Sequence, residues 1–188
     1  MNYKELNDAQ LWHLIASNDR TAFSYVFRIY SKDLFRYGQK FSQDKELVED
    51  VIQDSFLELW HNRDKINIIS SIKFYLLTSF RRELVRRMVN LRKNENLESI
   101  PETMFETSHL ENLVDVQEEK DAELHKAIGE LTERQKEAIY LKYFMNLSYE
   151  EIAVMMQMQV PSLYNLVMKA MKSMKQGLTT KDYQYKYK

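Results

Sequence analysis

Glycine and proline are scarce in this chain, whose 188 residues include only three glycines and two prolines. These two residue types supply most tight turns and hairpin connections, so few such turns are available to it. Apolar side chains instead recur every three or four residues over long stretches, which is the period of an α-helix. A hydrophobic share of 44% also excludes wholesale disorder. The sequence therefore predicts a folded, all-α protein.

The first part of the chain, residues 1–93, predicts one small helical domain. It contains four stretches with a regular apolar face, at about 11–15, 23–41, 47–60 and 71–92. Four helices of that size can bury one core.

The helical period fails between residues 94 and 117, where Pro101 and many acidic and polar residues occur. An acidic chain repels itself and buries little apolar surface, so we expect a flexible acidic linker. A second helical domain is expected at 118–178, followed by a disordered basic tail at 179–188.

The same period assigns the side chains that should point into each core. In the second helix of the first domain they are Phe23, Val26, Phe27, Tyr30, Leu34, Tyr37 and Phe41. In the second domain they include Ala138, Ile139, Leu141 and Tyr143, and further along Val160, Leu163, Val167, Ala170 and Met174.

Charge is distributed unevenly, although the net charge is only −1. Residues 73–93 carry seven lysines and arginines against the single acid Glu83, whereas residues 95–119 carry eight acids and no lysine or arginine. The segment after Val160 is basic again. Two basic surfaces separated by an acidic segment are compatible with two contacts to nucleic acid.

Several classes of function are disfavoured by the residues present. The absence of cysteine excludes disulfides and thiolate metal sites, and the four histidines, His13, His61, His109 and His125, lack ligand spacing. No glycine-rich phosphate loop occurs, so we expect neither catalysis nor a metal or cofactor. The polar amino terminus and the lack of a long apolar run predict a cytoplasmic protein without membrane insertion.

A helix-turn-helix is predicted near the end of the chain. Ser148 and Glu151 have the spacing of a capping box, residues 157–159 form a short turn, and Pro161 lies in the first turn of the next helix. The side chains expected to face outward on that helix are Ser162, Tyr164, Asn165, Met168, Lys169 and Lys172. They suit a recognition helix in the major groove, although an ordinary helical hairpin with a solvated lysine face has the same period.

Two motifs resemble those of extracytoplasmic-function sigma factors. The run from Leu131 to Ile139, followed by Leu147 to Ala153, resembles their carboxy-terminal domain. Asp19, Ala22, Phe23, Tyr30 and the segment from Glu49 to Trp60 resemble their other domain. The segment from Ser162 to Leu166 is similar to members from Bacteroidetes. The resemblance implies an alternative sigma factor that directs core RNA polymerase to promoters.

The resemblance also implies a polymerase-binding set on the third helix. Its members would dock on the clamp helices of the largest subunit, and they are Asp50, Gln53, Asp54, Leu57 and Trp60. In the alternative interpretation, Leu57 and Trp60 are core residues while Asp50 and Asp54 are merely solvated. The family further implies contact with the polymerase flap and control by an anti-sigma factor.

Two DNA-binding sets follow from the same resemblance. The minus-ten set would open the strands and hold the non-template strand, and it contains Lys65, Asn67, Ser70, Lys73, Phe74, Tyr75, Arg81, Arg82 and Arg86. Phe74 and Tyr75 are alternatively plain core aromatics. The minus-thirty-five set contains Tyr149, Ser162, Tyr164, Asn165, Met168, Lys169 and Lys172. Gln157 occupies the turn position where relatives usually have glycine, which predicts a non-glycine residue at positive φ.

A transcriptional regulator that merely shares the helix-turn-helix is the main alternative function. A simple repressor has no need for the acidic helix ending at Trp60 or for the basic aromatic helix after it. Binding to core polymerase distinguishes the two.

Overall fold

Helix-capping residues mark where each element of the first domain begins. The structure is a computed structural model, which describes residues 2–66, 71–94 and 126–178. After a 3₁₀ turn at Tyr3–Glu5, the helices are α1 (Asp8–Ala16), α2 (Arg20–Gly38), α3 (Lys45–His61) and α4 (Ile72–Asn94). Asn7, Asp19 and Asp44 accept backbone N–H bonds at the starts of α1, α2 and α3.

The core of the first domain is formed by the inner faces of these four helices. α3 packs on α2 and α4, and α1 packs on α2. Side chains with almost no exposed surface include Ile15, Val26, Leu34, Tyr37, Val51, Leu59, Leu76, Phe80 and Leu84. Gly38 permits the close crossing, because a Cβ there would lie 2.7 Å from Phe80 Cζ and 2.7 Å from Val48 Cγ1.

The second domain begins, within the described residues, with a helical turn at 126–129. It continues with α5 (Glu133–Ile139), a π-helical turn (Tyr140–Phe144), α6 (Tyr149–Met155) and α7 (Val160–Leu178). α7 packs on α5 and on α6. Thr132 with Gln135 and Ser148 with Glu151 form capping boxes. The all-α prediction is confirmed, and the chain divides into two compact units, Met1–Pro101 and Glu102–Lys188. The boundaries given above for linker and tail stay predictions, because 95–125 and 179–188 lie outside the described residues.

Three core predictions are wrong. Phe27 is 40% exposed, because it lies at the edge of the buried stripe of α2, where its ring centroid is 4.8 Å from that of Phe56. Val160 is 36% exposed because it is the first residue of α7. Tyr143 is exposed and Tyr140 is buried in its place. Here the π-helical turn shifts the register, with the Met145 N–H bonded to the Tyr140 carbonyl five residues back.

No helix in the described ranges is long and apolar enough to cross a membrane. Over the same residues, no cluster of three or more histidine, aspartate and glutamate side chains has the arrangement of a metal site.

Candidate protein-binding and nucleic-acid interfaces

Four members of the predicted polymerase-binding set form one exposed stripe on α3. Asp50, Gln53, Asp54 and Leu57 follow the i, i+3, i+4, i+7 spacing of a single helix face, and all four are exposed. Leu57 keeps 52% of its surface exposed, so the alternative interpretation of this residue as core is wrong. We call these four residues the acidic stripe. A leucine at the end of a row that contains two carboxylates provides an apolar anchor next to acceptors for arginine.

Trp60 lies one turn beyond the acidic stripe and is half-buried. Its ring centroid is 4.9 Å from that of Phe23, and the guanidinium of Arg63 lies 4.3 Å above the Trp60 ring. Arg63 Nη1 also donates to the Trp60 carbonyl at 2.7 Å. Trp60 is therefore held rigidly at the rim of the domain, partly as a core residue and partly as surface.

An ion-pair network connects the acidic stripe with α4. Arg87 donates from Nη2 to Asp54 Oδ2 and from Nε to Glu83 Oε1, the latter at 2.8 Å. Arg86 binds both carboxylate oxygens of Glu83, at 2.8 and 2.6 Å. These hydrogen bonds from Arg86 and Arg87 lower the pKa of Glu83 to about 2. Asp54 is thus paired within the chain, whereas the alternative interpretation treats it as merely solvated.

The first half of the minus-ten set lies around the start of α4. Lys65 is exposed, and Lys73, Phe74 and Tyr75 are half-buried, so neither aromatic is fully enclosed in the core. Lys73 Nζ lies 3.7 Å from Asp33 Oδ2, a distance at which the two charges partly neutralise each other. Burial and the nearby charge of Glu58 raise the pKa of Tyr75. Asn67 and Ser70 lie outside the described residues.

The arginines of the minus-ten set differ in their availability. Arg82 is exposed, and Arg81 is half-buried. Arg86 is exposed, but its guanidinium is occupied by Glu83. A phosphate must therefore displace or share that carboxylate if it is to bind Arg86, while it can reach Arg82 directly.

The helix-turn-helix of the second domain is built by local hydrogen bonds. Ser148 Oγ accepts the Glu151 N–H at 3.1 Å, and Glu151 Oε2 accepts the Ser148 N–H at 2.8 Å, as a capping box requires. Gln157 has φ 53°, which confirms the predicted positive φ at this turn position. The Met158 N–H bonds to the Ala153 carbonyl at 2.8 Å and the Gln157 N–H to the Val154 carbonyl at 3.2 Å. These two bonds form a Schellman motif that ends α6.

The outward face of α7 matches the sequence prediction. Its exposed side chains are Ser162, Tyr164, Asn165, Met168, Lys169 and Lys172. Leu163, Val167 and Ala170 are buried on the opposite face. Tyr149, at the start of α6, packs against Tyr164 in a tilted arrangement with 5.6 Å between ring centroids, so the two helices present one continuous surface.

Two residues near these surfaces were not identified from the sequence. Arg87 joins α3 to α4, and only its spacing of four from Glu83 signals part of that role. Lys142 places its Nζ 4.6 Å from the ring of Tyr149 and donates to the Leu147 carbonyl at 3.1 Å. The sequence has no short-range signal for this position.

Two family models match the chain in the order of its two domains. The model for sigma-70 region 2 matches residues 26–94, which span the acidic stripe and α4. The model for sigma-70 region 4 matches residues 121–174, which include the helix-turn-helix.

Sequence similarity to two known sigma factors extends over most of the chain. An RNA polymerase sigma-H factor from Pseudomonas aeruginosa is 24% identical over 91% of this chain and 93% of its own length. The sigma factor SigV from Bacillus subtilis is 26% identical over 81% of this chain and 89% of its own.

Solved structures show the same fold. The sigma factor RpoE, in complex with the anti-sigma factor NepR from Bartonella quintana, matches with a TM-score of 0.59 and 20% identity, covering 84% of this chain and 97% of that one. CnrH, in complex with the cytosolic domain of CnrY, matches with a TM-score of 0.61 and 20% identity, covering 90% and 95%. The chain therefore belongs to the sigma-70 family, as an alternative sigma factor of the extracytoplasmic-function type that directs transcription initiation.

Proposed function

We propose that the acidic stripe of α3, together with the rim residue Trp60, is the surface that binds core RNA polymerase. The observation that carries this proposal is the exposure of Leu57 one turn after Asp54, on a helix whose other side is buried in the core. A large exposed apolar side chain flanked by charge is typical of an interface anchor. Its partner is the pair of clamp helices of the largest subunit, which would supply arginines to Asp50 and Asp54.

The start of α4 then holds the non-template strand of the minus-ten element. Phe74 and Tyr75 are half-buried, so each has a fixed orientation and still offers a ring surface to an unpaired base. Lys65 and Arg82 are exposed and can contact phosphates. Lys73, Arg81 and Arg86 add further positive charge along α4. Asn67 and Ser70 belong to this proposed set by sequence alone.

The outward face of α7 reads the minus-thirty-five element. Asn165 is exposed in the first turns of α7, the part of a recognition helix that reaches base edges. Tyr164 and Met168 flank it and offer apolar contact, whereas Ser162, Lys169 and Lys172 meet phosphates together with Tyr149. This domain also contacts the polymerase flap.

Regulation by an anti-sigma factor is part of the proposal. It is supported by the structural similarity to RpoE and CnrH, each of which was solved with a bound partner. The protein acts in the cytoplasm, where the polymerase supplies the chemistry of RNA synthesis. The segment from Ser162 to Leu166 supports an origin among the Bacteroidetes.

A pulldown and a transcription assay test the proposal together. The full chain is mixed with core polymerase purified without sigma, and complex formation is compared for the wild type, Leu57→Asp and the control Glu49→Gln. Glu49 is an exposed acid on the same helix but outside the acidic stripe. Leu57→Asp is expected to abolish capture and the control to retain it.

Promoter-specific transcription is then measured by sequencing the 5′ ends of transcripts made on genomic DNA. Defined start sites that require this chain support the proposal. The contrary result is a chain that forms a tight, salt-resistant complex with duplex DNA and never binds core polymerase. Such a chain would be a simple regulator.

A further inference from the structure

Helix α1 contacts the backbone on both sides of residues 67–70. Trp12 Nε1 donates to the Ile66 carbonyl at 3.1 Å, and Asp8 Oδ2 accepts the Ile72 N–H at 2.7 Å. Asp8 and Trp12 are four residues apart, so one face of α1 makes both contacts. The two anchored residues adjoin proposed minus-ten residues. Ile66 directly follows Lys65, and Ile72 directly precedes Lys73, Phe74 and Tyr75.

Each contact satisfies a group that is costly to leave unpaired. Trp12 is only 5% exposed, and a buried indole N–H needs an acceptor. Ile72 is the first residue of α4 and is fully buried, so its N–H has no partner within the helix. A carboxylate there also interacts favourably with the positive end of the helix dipole.

The surroundings of Asp8 and Ile66 restrict these anchors further. Tyr30 O–H donates to Asp8 Oδ1 at 3.4 Å, and its pKa is raised by burial and by the Asp8 charge. The Ile66 N–H bonds to the Asn62 carbonyl at 2.9 Å. Ser71 Oγ accepts the Phe74 N–H at 3.0 Å, which fixes the first turn of α4. The backbone that carries Lys65, Phe74 and Tyr75 is therefore held from several directions.

We infer that Asp8 and Trp12 are positioning residues for minus-ten recognition, holding Ile66 and Ile72 so that Lys65, Lys73, Phe74 and Tyr75 meet the unpaired strand in one geometry. This inference rests on the function proposed above for the start of α4. Neither Asp8 nor Trp12 touches DNA in this arrangement. Their effect is on how strongly the holoenzyme distinguishes one minus-ten sequence from another.

The test uses holoenzyme reconstituted from core polymerase and the full chain. The probes are two single-stranded oligonucleotides: the non-template strand of a promoter mapped with wild-type holoenzyme, and the same strand with its minus-ten segment scrambled. Asp8→Ala removes the acceptor for Ile72, and Trp12→Phe keeps an aromatic ring but removes the donor to Ile66. His13→Ala is the matched control, because His13 is an exposed residue of the same helix and makes neither anchoring contact.

Each anchor variant is expected to reduce the ratio of the two affinities about ten-fold, equivalent to about 1.4 kcal/mol. Polymerase binding should stay within about two-fold, because no residue of the acidic stripe is altered. Asp8→Asn retains an oxygen acceptor for Ile72 and should recover most of the ratio. His13→Ala should match the wild type.

Two results would overturn the inference. In the first, Asp8→Ala and Trp12→Phe keep the wild-type ratio. In the second, they weaken polymerase binding and lower the affinity for both oligonucleotides by the same factor, which indicates a purely structural role. If the wild-type holoenzyme itself fails to distinguish the two strands, the function proposed for α4 is wrong. The two failures are separable, because this one is seen in the wild type and the other only in the anchor variants.

Discussion

Arg87 of α4 donates from its guanidinium to Asp54 of α3, across 33 positions of sequence. Asp54 lies on the acidic stripe that we propose for polymerase, and its side chain remains 53% exposed despite this pair. An arginine from a partner can therefore still reach the carboxylate. The pair connects the proposed polymerase surface with the helix proposed to open DNA.

The Asp54–Arg87 pair predicts a separation of stability from binding. Asp54→Asn should weaken both the fold and polymerase binding, whereas Asp50→Asn should weaken binding alone, since Asp50 is exposed on the same face. The loss of unfolding free energy for Asp54→Asn should be below about 1 kcal/mol, as expected for a pair near the surface. Urea unfolding and polymerase titration of both variants measure the two effects. Equal stability losses in the two variants would contradict this prediction.

Glu83 predicts an acid-sensitive contribution to the stability of the first domain. Its pKa is lowered from 4.5 to about 2 by Arg86 and Arg87, so folding favours the charged form. The stabilisation is therefore present above about pH 4.5 and is lost as the pH falls through about 2. Urea unfolding of the wild type and Glu83→Gln should differ most near neutral pH and converge in acid. A difference that stays constant with pH would show that the charge is not involved.

Gln157 predicts a stabilising substitution in the second domain. Because its φ is 53°, Gln157→Gly should relieve backbone strain and raise the unfolding free energy by about 0.5–1 kcal/mol. Asn146 has φ 55° and is the matched control, since asparagine tolerates this region better than glutamine does. Asn146→Gly should therefore gain less. Thermal unfolding ranks the two variants, and an equal or larger gain at Asn146 is the contrary result.

The exposed face of α7 predicts two different losses of promoter recognition. Asn165→Ala should reduce discrimination at one position of the minus-thirty-five element by about 1–3 kcal/mol, because a base contact is lost. Lys169→Ala should weaken binding to all sequences and reduce the salt dependence by about one phosphate contact. Competition between promoter variants for holoenzyme, at several salt concentrations, separates the two. Identical profiles would show that Asn165 does not read a base.

Features that depend on neighbouring residues were predictable from the sequence. The Ser148–Glu151 capping box follows from groups within about one helical turn, whereas the positive φ at Gln157 was expected from the resemblance to a family that usually has glycine there. The buried residues Leu163, Val167 and Ala170 follow from the helical period in the same way. The π-helical turn was not predictable, because the period assumes uniform α-geometry, and it exchanged Tyr143 for Tyr140 in the core.

By itself, the sequence determined the helices, their caps and the two-domain division, because hydrogen bonds and apolar periodicity act over three or four residues. Only the tertiary structure decided which distant groups meet. Asp8 reaches Ile72 across 64 positions, and Trp12 reaches Ile66 across 54. Such contacts depend on how helices cross once their cores are packed, as at Gly38, where α2 closely approaches Val48 of α3 and Phe80 of α4. Short-range patterns do not contain that information.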